Sequence, residues 1–390
     1  MNTRIAIVGG GVAAYTAIET LRRSPIAGEI KILWIAPQAS FVYKPYLFDV
    51  LSGYRSLTEC VFPLKGYCQR FHIDFYTSTL ERFDPENSTL YLASGRSVNY
   101  EYLILASGEH RVLPSIIPSE NSFLQAGTTE LTQLMEHIEK QFVTAKSQLS
   151  LLRKAFLSIV VEGRDWQSVG TLLALYNYTE YLRKKYEFRR NEITLTYVSA
   201  EKQFGGDLPL KMSDMVEQYA RDHMIDIQLH VAIKNYQDGK LLLSNGAVIE
   251  THTFVTAGMA TLASPYSEAK MQSDEFGGMK VNSYLQIENL FNVYACGSIV
   301  NHYDWHKKER VWHSFPVAEA QARLAANNVV AEIRGRNKLS YEPQTVLEFL
   351  PVNDQLCIGV WGDIVYFNSL MATSRKFLAK KYLWQLTMPE

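Results

Sequence analysis

The sequence predicts an α/β protein built from two similar strand–turn–helix folds, one inserted in the other, followed by a small C-terminal α+β region. Three observations carry this expectation. A short β-branched run, Ile5 to Val8, meets three glycines, Gly9 to Gly11, and then an apolar repeat of helical period. The plan returns later, where the apolar run Phe156 to Val161 precedes a second helical repeat. Apolar runs that end in a glycine turn recur at Ser107-Gly108, Ala257-Gly258 and Cys296-Gly297.

Taken in order, Ala14, Ala17, Ile18 and Leu21 fall at i, i+3, i+4 and i+7 of the first helix. Ile30 to Ile35 supplies the next strand at βαβ spacing, and right-handed crossover places it beside the first in a parallel sheet. Tyr100 to Gly108 reads as a buried strand running into a tight turn. Residues 131–148 have helical periodicity, and Val169, Leu172, Leu173 and Tyr176 mark one helix face after Phe156 to Val161. Ile193 to Val198 is the second strand of this copy, 209–223 a helix, and the runs around Leu241 to Leu243 and Val248 to Ile249 a hairpin about Asn245-Gly246. Phe254 to Gly258 and Phe291 to Gly297 are further strands, and Val317 to Ile333 is a helix. From about Tyr341, short strands (Val346 to Leu350, Gln355 to Val360, Ile364 to Phe367) lead to a basic, aromatic tail. The expectation is therefore two Rossmann-like domains, the first formed by residues 1–125 and 270–340, the second by 126–269, with a C-terminal region at 341–390.

With 390 residues, 47% of them hydrophobic and 20% charged, the chain has the composition of a folded protein, which sets disorder and disulfide-stapled minidomains aside. A net charge of -1 gives no global pull toward nucleic acid. Cys60, Cys68, Cys296 and Cys357 form no C-x-x-C pair and no zinc spacing, which favours a reducing compartment. The start of the sequence lacks signal-peptide layout, and no apolar run reaches the ~18 residues of a membrane span. The expected location is the cytoplasm, at most peripheral on the inner face of a membrane.

Gly9-x-Gly11-x-x-Ala14 after a strand and opening a helix is a phosphate cradle. The first glycine permits the turn, the second lets backbone approach a pyrophosphate, and Ala14 keeps the helix close to the sheet. The N–H groups of the first helical turn, at Val12 and Ala13, then face the phosphates with partial positive charge. The acid usually found at the end of the second strand, where it holds ribose hydroxyls, is absent, since that strand ends Ile35-Ala36-Pro37.

The order glycine turn, Phe41-x-Tyr43-x-Pro45, Gly53-Tyr54-Arg55, Tyr102 to Gly108, Ala295-Cys296-Gly297-Ser298 and Ala318-Glu319-Ala320-Gln321-Ala322 resembles the two-dinucleotide-fold flavoproteins of FAD/NAD(P) type. Within them it is most similar to sulfide:quinone oxidoreductases, flavocytochrome sulfide dehydrogenases and type II NADH dehydrogenases. The resemblance implies FAD as cofactor, with Gly9, Gly11 and Ala14 at its pyrophosphate and Ala36 where the ribose acid would stand. It places Lys44 and Pro45 against the flavin, Ala106, Ser107 and Gly108 near the adenine side, and Gly297 and Ser298 by the ribityl chain. Ser298 stands where most members have Asp. The helix from Val317 would aim its N-terminus at the flavin pyrimidine, where it would stabilise an anionic reduced ring, with His313 beside it.

Where an NADH-binding relative would repeat the glycine motif, this chain has Glu162-Gly163-Arg164-Asp165-Trp166-Gln167. Side chains then stand where backbone should meet phosphate, and a carboxylate there repels a pyrophosphate. Either the electrons come from a small sulfur compound, as in the sulfide branch, or the second fold is scaffold. Cys357, in Cys357-Ile358-Gly359-Val360-Trp361-Gly362-Asp363, resembles the segment carrying one of the two redox cysteines of sulfide oxidisers, and a thiolate there would be the nucleophile. The second redox cysteine would fall where Ser168-Val169 stands, and the apolar setting of Cys357 equally suits an inert, buried thiol. The segment His302 to His313, with Tyr303, Trp305, His306 and Trp312, offers no converging ligand set for a metal and reads as an aromatic wall near a quinone ring or as an ordinary packed loop.

In the tail, Arg375, Lys376, Lys380 and Lys381 oppose a single acid, Glu390. A helix over 374–386 would put Leu378, Ala379, Tyr382, Leu383 and Leu386 on one face, with Phe377 and Trp384 on the basic side. That pattern fits peripheral membrane contact through residues 370–390 and equally a homodimer interface. Three functions remain: an FAD oxidoreductase passing electrons from a small donor to a quinone or other acceptor, a type II NADH dehydrogenase-like enzyme with an altered pocket, and a decayed flavoprotein acting as a scaffold or binding partner.

Overall fold

The computed structural model describes residues 2–114, 117, 120–124, 127–206, 208–304 and 309–387. Trp305, His306 and Glu390, singled out above, lie outside the described residues.

The chain divides into two units, Met1–Pro45, Cys60–His110 and Ala260–Val346 forming one, and Tyr46–Glu59, Arg111–Met259 and Leu347–Glu390 the other. The units divide at 45/46, 59/60, 110/111, 259/260 and 346/347, beside the sequence-based divisions at 125/126, 269/270 and 340/341, and both Tyr46–Glu59 and the C-terminal stretch group with the second unit. Short strands and a single helix cannot bury an apolar face by themselves, so this stretch packs on a larger body.

In the first unit five parallel strands lie in the order Val293–Ala295, Tyr102–Leu105, Thr3–Val8, Ile30–Ala36, Asp74–Thr77. Ile5, Ala6, Ile7, Leu103, Ile104 and Leu105 have no solvent exposure, as a strand covered on both faces requires. The helix Val12–Arg22 packs against the helix Phe315–Ile333, which begins with Ser314 as N-cap and Pro316 in its first turn. An antiparallel meander, Leu80–Asp84, Thr89–Leu92 and Ser97–Asn99, adds Phe83, Leu90 and Val98 to the core.

The second unit repeats the plan with parallel strands in the order Ser122–Leu124, Thr253–Thr256, Ser158–Glu162, Thr194–Val198, Asp226–Gln228. Its outer strand comes first in the chain, whereas the corresponding strand of the first unit comes last. A meander, Ile233–Gln237, Lys240–Leu243 and Val248–Glu250, contains the expected hairpin. Helices Thr128–Ser147, Trp166–Lys185 and Leu210–Asp222 stand where periodicity put them.

The C-terminal strands Leu347–Pro351, Cys357–Trp361 and Ile364–Asn368 form an antiparallel sheet under the helix Ser369–Thr387. Two residues of that helix depart from the expected faces. Leu378 is 45% exposed, while Arg375, expected among the surface cations, is buried at 6%. Its guanidinium meets the carboxylate of Asp49, itself 5% exposed, on the face that also buries Ala379 and Leu386. Leu370, Phe377 and Trp384, at i, i+7 and i+14, form the exposed stripe beside Lys380 and Lys381.

Candidate functional site

Three glycine turns at the C-terminal ends of the first unit's strands close on one another. Gly9 has a φ of +140°, and a methyl group placed on it would overlap the carbonyl of Ala106. Only glycine fits that approach. Gly108 sits against Ser298, whose Oγ lies 3.5 Å from where a Cβ would be, and the same hydroxyl accepts the Glu109 N–H at 3.3 Å. Gly297 faces Ala13 at 2.9 Å by the same measure and gives its N–H to Oε1 of Gln321, which is buried. Gly9, Ala106, Ser107, Gly108, Gly297, Ser298 and Ala13 are thus brought together, and Ala14 is fully buried beneath them.

Gly11 differs from the other two glycines of its loop. It is the N-cap of the helix Val12–Arg22, its φ is an ordinary -97°, and a methyl group on it would meet nothing within 4 Å. The cradle is therefore packed below and open at Gly11 and the first-turn N–H groups of Val12 and Ala13, where an anion finds unpaired donors. Ala36 faces Gly10 at ordinary contact distance. That strand itself ends Ile35-Ala36-Pro37, with no acid among its last residues. A shallow cleft beside the turns is lined by Gly108, Glu109, Tyr266, Ser298 and Asn301, with the Tyr266 hydroxyl donating to Ser107 Oγ at 3.0 Å.

Lys44 and Pro45 open the short turn Lys44–Tyr46, Lys44 exposed and Pro45 half-buried, just after Tyr43, whose ring packs on Phe315 at 5.1 Å. His313, one residue before the N-cap of the second helix, pairs through Nε2 with the Val300 carbonyl at 3.2 Å. On that helix burial raises the Glu319 carboxyl above its ordinary range, with Arg323 opposing. Among the described residues no group of three or more His, Cys, Asp or Glu is placed to hold a metal ion.

The matching turn of the second unit is filled by its own chain. A methyl group on Gly163 would overlap the ring of Tyr197, which is fully buried and receives the Gly205 N–H at its hydroxyl. Gly206 presses on the Arg164 carbonyl, and the Ser199 hydroxyl donates to the Gly163 carbonyl at 2.7 Å. At the start of the helix Trp166–Lys185, Asp165 accepts the Ser168 N–H at 2.9 Å and forms an ion pair with Arg111 at 3.3 Å. A carboxylate of the chain itself therefore takes the place at the helix N-terminus that a phosphate would need. Glu162 accepts a short hydrogen bond from the Thr256 hydroxyl and pairs with Arg164.

Cys357 lies in the second unit, fully buried, with its Sγ 3.4 Å from the Ile358 carbonyl. Burial pushes its thiol up to about 12 from an ordinary 9.0, Arg375 opposing and Asp49 adding. These surroundings favour the thiol over the thiolate expected of a nucleophile. The sign follows. The folded protein holds the proton more tightly than the unfolded chain, so this contribution to stability is complete below pH 9 and is lost as pH rises toward 12. Alkylation of Cys357 in the native protein between pH 7 and 9, read by peptide mapping, is expected to be no faster than unfolding. Labelling within minutes would show an accessible thiolate.

Trp34 and Tyr197 carry parts of these two turns that no motif marks. Trp34 donates its indole N–H to the Gly9 carbonyl, and Tyr197 fills the second crevice. An apolar strand position reads the same in sequence whether its side chain packs passively or props a loop.

Residues 3–322 match the pyridine nucleotide-disulphide oxidoreductase family. The sulfide-quinone reductase of Aquifex aeolicus is 22% identical over 379 residues, covering 93% of this chain and 82% of that protein. The solved sulfide:quinone oxidoreductase of the same bacterium superposes with a TM-score of 0.82 over 98% of this chain and 91% of that one, at 19% identity. NDH2 from Plasmodium falciparum, solved in complex with NADH, gives a TM-score of 0.83 over 98% and 95%, at 11% identity.

Proposed function

The chain belongs to the pyridine nucleotide-disulphide oxidoreductase family, and from that premise we propose an FAD-dependent oxidoreductase of the sulfide:quinone type, taking electrons from a small donor, first of all a sulfur compound, and passing them to a quinone or other acceptor. The observation that carries this reading is the contrast between the two glycine turns. The first is open at Gly11 and at the helix N-terminus, and the second is filled by Tyr197 and capped by Asp165. FAD, when bound, supplies two-electron redox chemistry. Gly11 and the first-turn N–H groups of Val12 and Ala13 would hold its pyrophosphate over a base formed by Gly9 and Ala14, the Ser298 hydroxyl and Gly297 would hold the ribityl side, and Lys44, Pro45 and His313 would border the ring. Cys357 serves packing beside Asp49 and Arg375, which leaves donor oxidation to the flavin site itself.

The stripe of Leu370, Phe377 and Trp384 beside Lys380 and Lys381 supports peripheral contact with an anionic bilayer, where a quinone resides. Among the described residues no helix is long and apolar enough to cross a membrane.

Purified protein is expected to be yellow, to bleach anaerobically with sulfide and recover on addition of a soluble quinone, and to bleach with NADH at least a hundredfold more slowly. Rapid bleaching by NADH would replace this reading with the NADH dehydrogenase one. A colourless protein that takes up no FAD would leave the scaffold.

A further inference from the structure

We propose that Trp34 is a positioning residue for the cofactor loop, its indole N–H fixing the Gly9 peptide and so the presentation of the backbone that follows; this rests on the flavin reading above. Trp34 lies in the strand Ile30–Ala36, opposite Ile7 on one side and Phe75 on the other, and has no solvent exposure. A buried indole N–H must find an acceptor. Here the acceptor is the Gly9 carbonyl at 2.7 Å, at the point where the chain leaves the first strand with a φ of +140°. The Gly9 N–H is held by the Ile35 carbonyl at 2.8 Å. Both peptides flanking Gly9 are therefore tied to the second strand. Because a trans peptide points its C=O and N–H in opposite directions, holding the Gly9 carbonyl on the indole aims the Gly10 N–H away from it and sets the entry to Gly11.

The indole is itself fixed. Its ring meets Tyr67 and Phe75 edge-on, with centroids at 6.4 and 5.3 Å, and the Tyr67 hydroxyl donates a short hydrogen bond to Glu19 on the first helix. Two residues beyond Trp34, on the same side of the strand, stands Ala36 in place of a ribose-binding acid. With no carboxylate to hold the adenosine end, a larger share of cofactor affinity falls on the rigidity of the loop, which Trp34 supplies.

The test compares flavin release from the holoprotein, followed by the return of free-FAD fluorescence on dilution, in Trp34→Phe and in Phe75→Leu. The second variant loosens the same aromatic cluster and leaves the hydrogen bond in place. Trp34→Phe is expected to raise the FAD dissociation constant about tenfold, the scale of one buried hydrogen bond. Phe75→Leu is expected to lower the melting temperature while FAD affinity stays within twofold. Should Trp34→Phe fail to fold, 3-benzothienylalanine at position 34 keeps the ring shape and removes only the N–H, and the same tenfold change is expected. Affinity within twofold of wild type in the variant lacking the N–H, or an equal loss in Phe75→Leu, would overturn the role of Trp34 and leave the flavin reading standing. A wild-type protein that binds no FAD would overturn both.

Discussion

Arg375→Leu is expected to destabilise the second unit by about 3–5 kcal/mol, the cost of breaking a buried ion pair by removing one partner. Asp49 is 5% exposed and its carboxylate is bonded to the Arg375 guanidinium, while Arg55 stands 3.5 Å from the other oxygen. Without Arg375, Asp49 keeps the costs of burial and loses its hydrogen-bonded cation. Arg55 compensates little, since its guanidinium also lies over the Tyr46 ring at 4.0 Å and pairs with Glu59. The melting temperature should fall on the order of 10 °C. The pair-deletion variant Asp49→Val with Arg375→Leu should recover most of the loss, because two apolar side chains close to the originals in size remove the desolvation cost along with the attraction. A double variant as unstable as the single one would show that the pair contributes through its own attraction.

That ion pair also shows where reading the sequence stops. The two Rossmann-like folds were legible because strand, turn and helix signals lie within a few residues of one another, and the Gly9 to Ala14 loop, the Asn245-Gly246 hairpin and the helices about Val169 and Val317 stand where local pattern put them. Arg375 shares a helix face with the buried Ala379 and Leu386 at i, i+4 and i+11, but nothing local announces that a cation can be buried there, because its carboxylate partner lies 326 residues away. Leu378 lies at the edge of that face, about 60° from Arg375 on the helical wheel, and is 45% exposed. The loss of phosphate-binding capacity at Glu162 to Gln167 was readable as missing glycines. What fills the space was not, for Tyr197 sits in an apolar strand where any large residue satisfies the pattern. Strands such as Leu80–Asp84 and Ser97–Asn99 are short and half exposed, so their alternation is too weak to stand out from turns.

Gly11→Val is expected to leave the fold intact and to weaken FAD binding more than a hundredfold. The reasoning separates three consecutive glycines. At Gly9 the backbone conformation and the Ala106 carbonyl both exclude a side chain, so Gly9→Val should damage the sheet end itself, with strain on the order of 1–3 kcal/mol before any cofactor is considered. At Gly10 a methyl group meets only the Ala36 side chain at 3.5 Å, and Gly10→Ala should be tolerated. At Gly11 nothing lies within 4 Å and the φ of -97° suits any residue, so no protein contact explains a glycine there. Space kept clear at the N-terminus of a helix is space for an anion that must approach the backbone closely. Valine at that position fills it without disturbing the chain, and the melting temperature of the apoprotein should stay within a few degrees of wild type. A yellow Gly11→Val protein with wild-type flavin content would mean that the pyrophosphate does not pass over this loop, and the assignment of the first unit as the cofactor domain would fall with it.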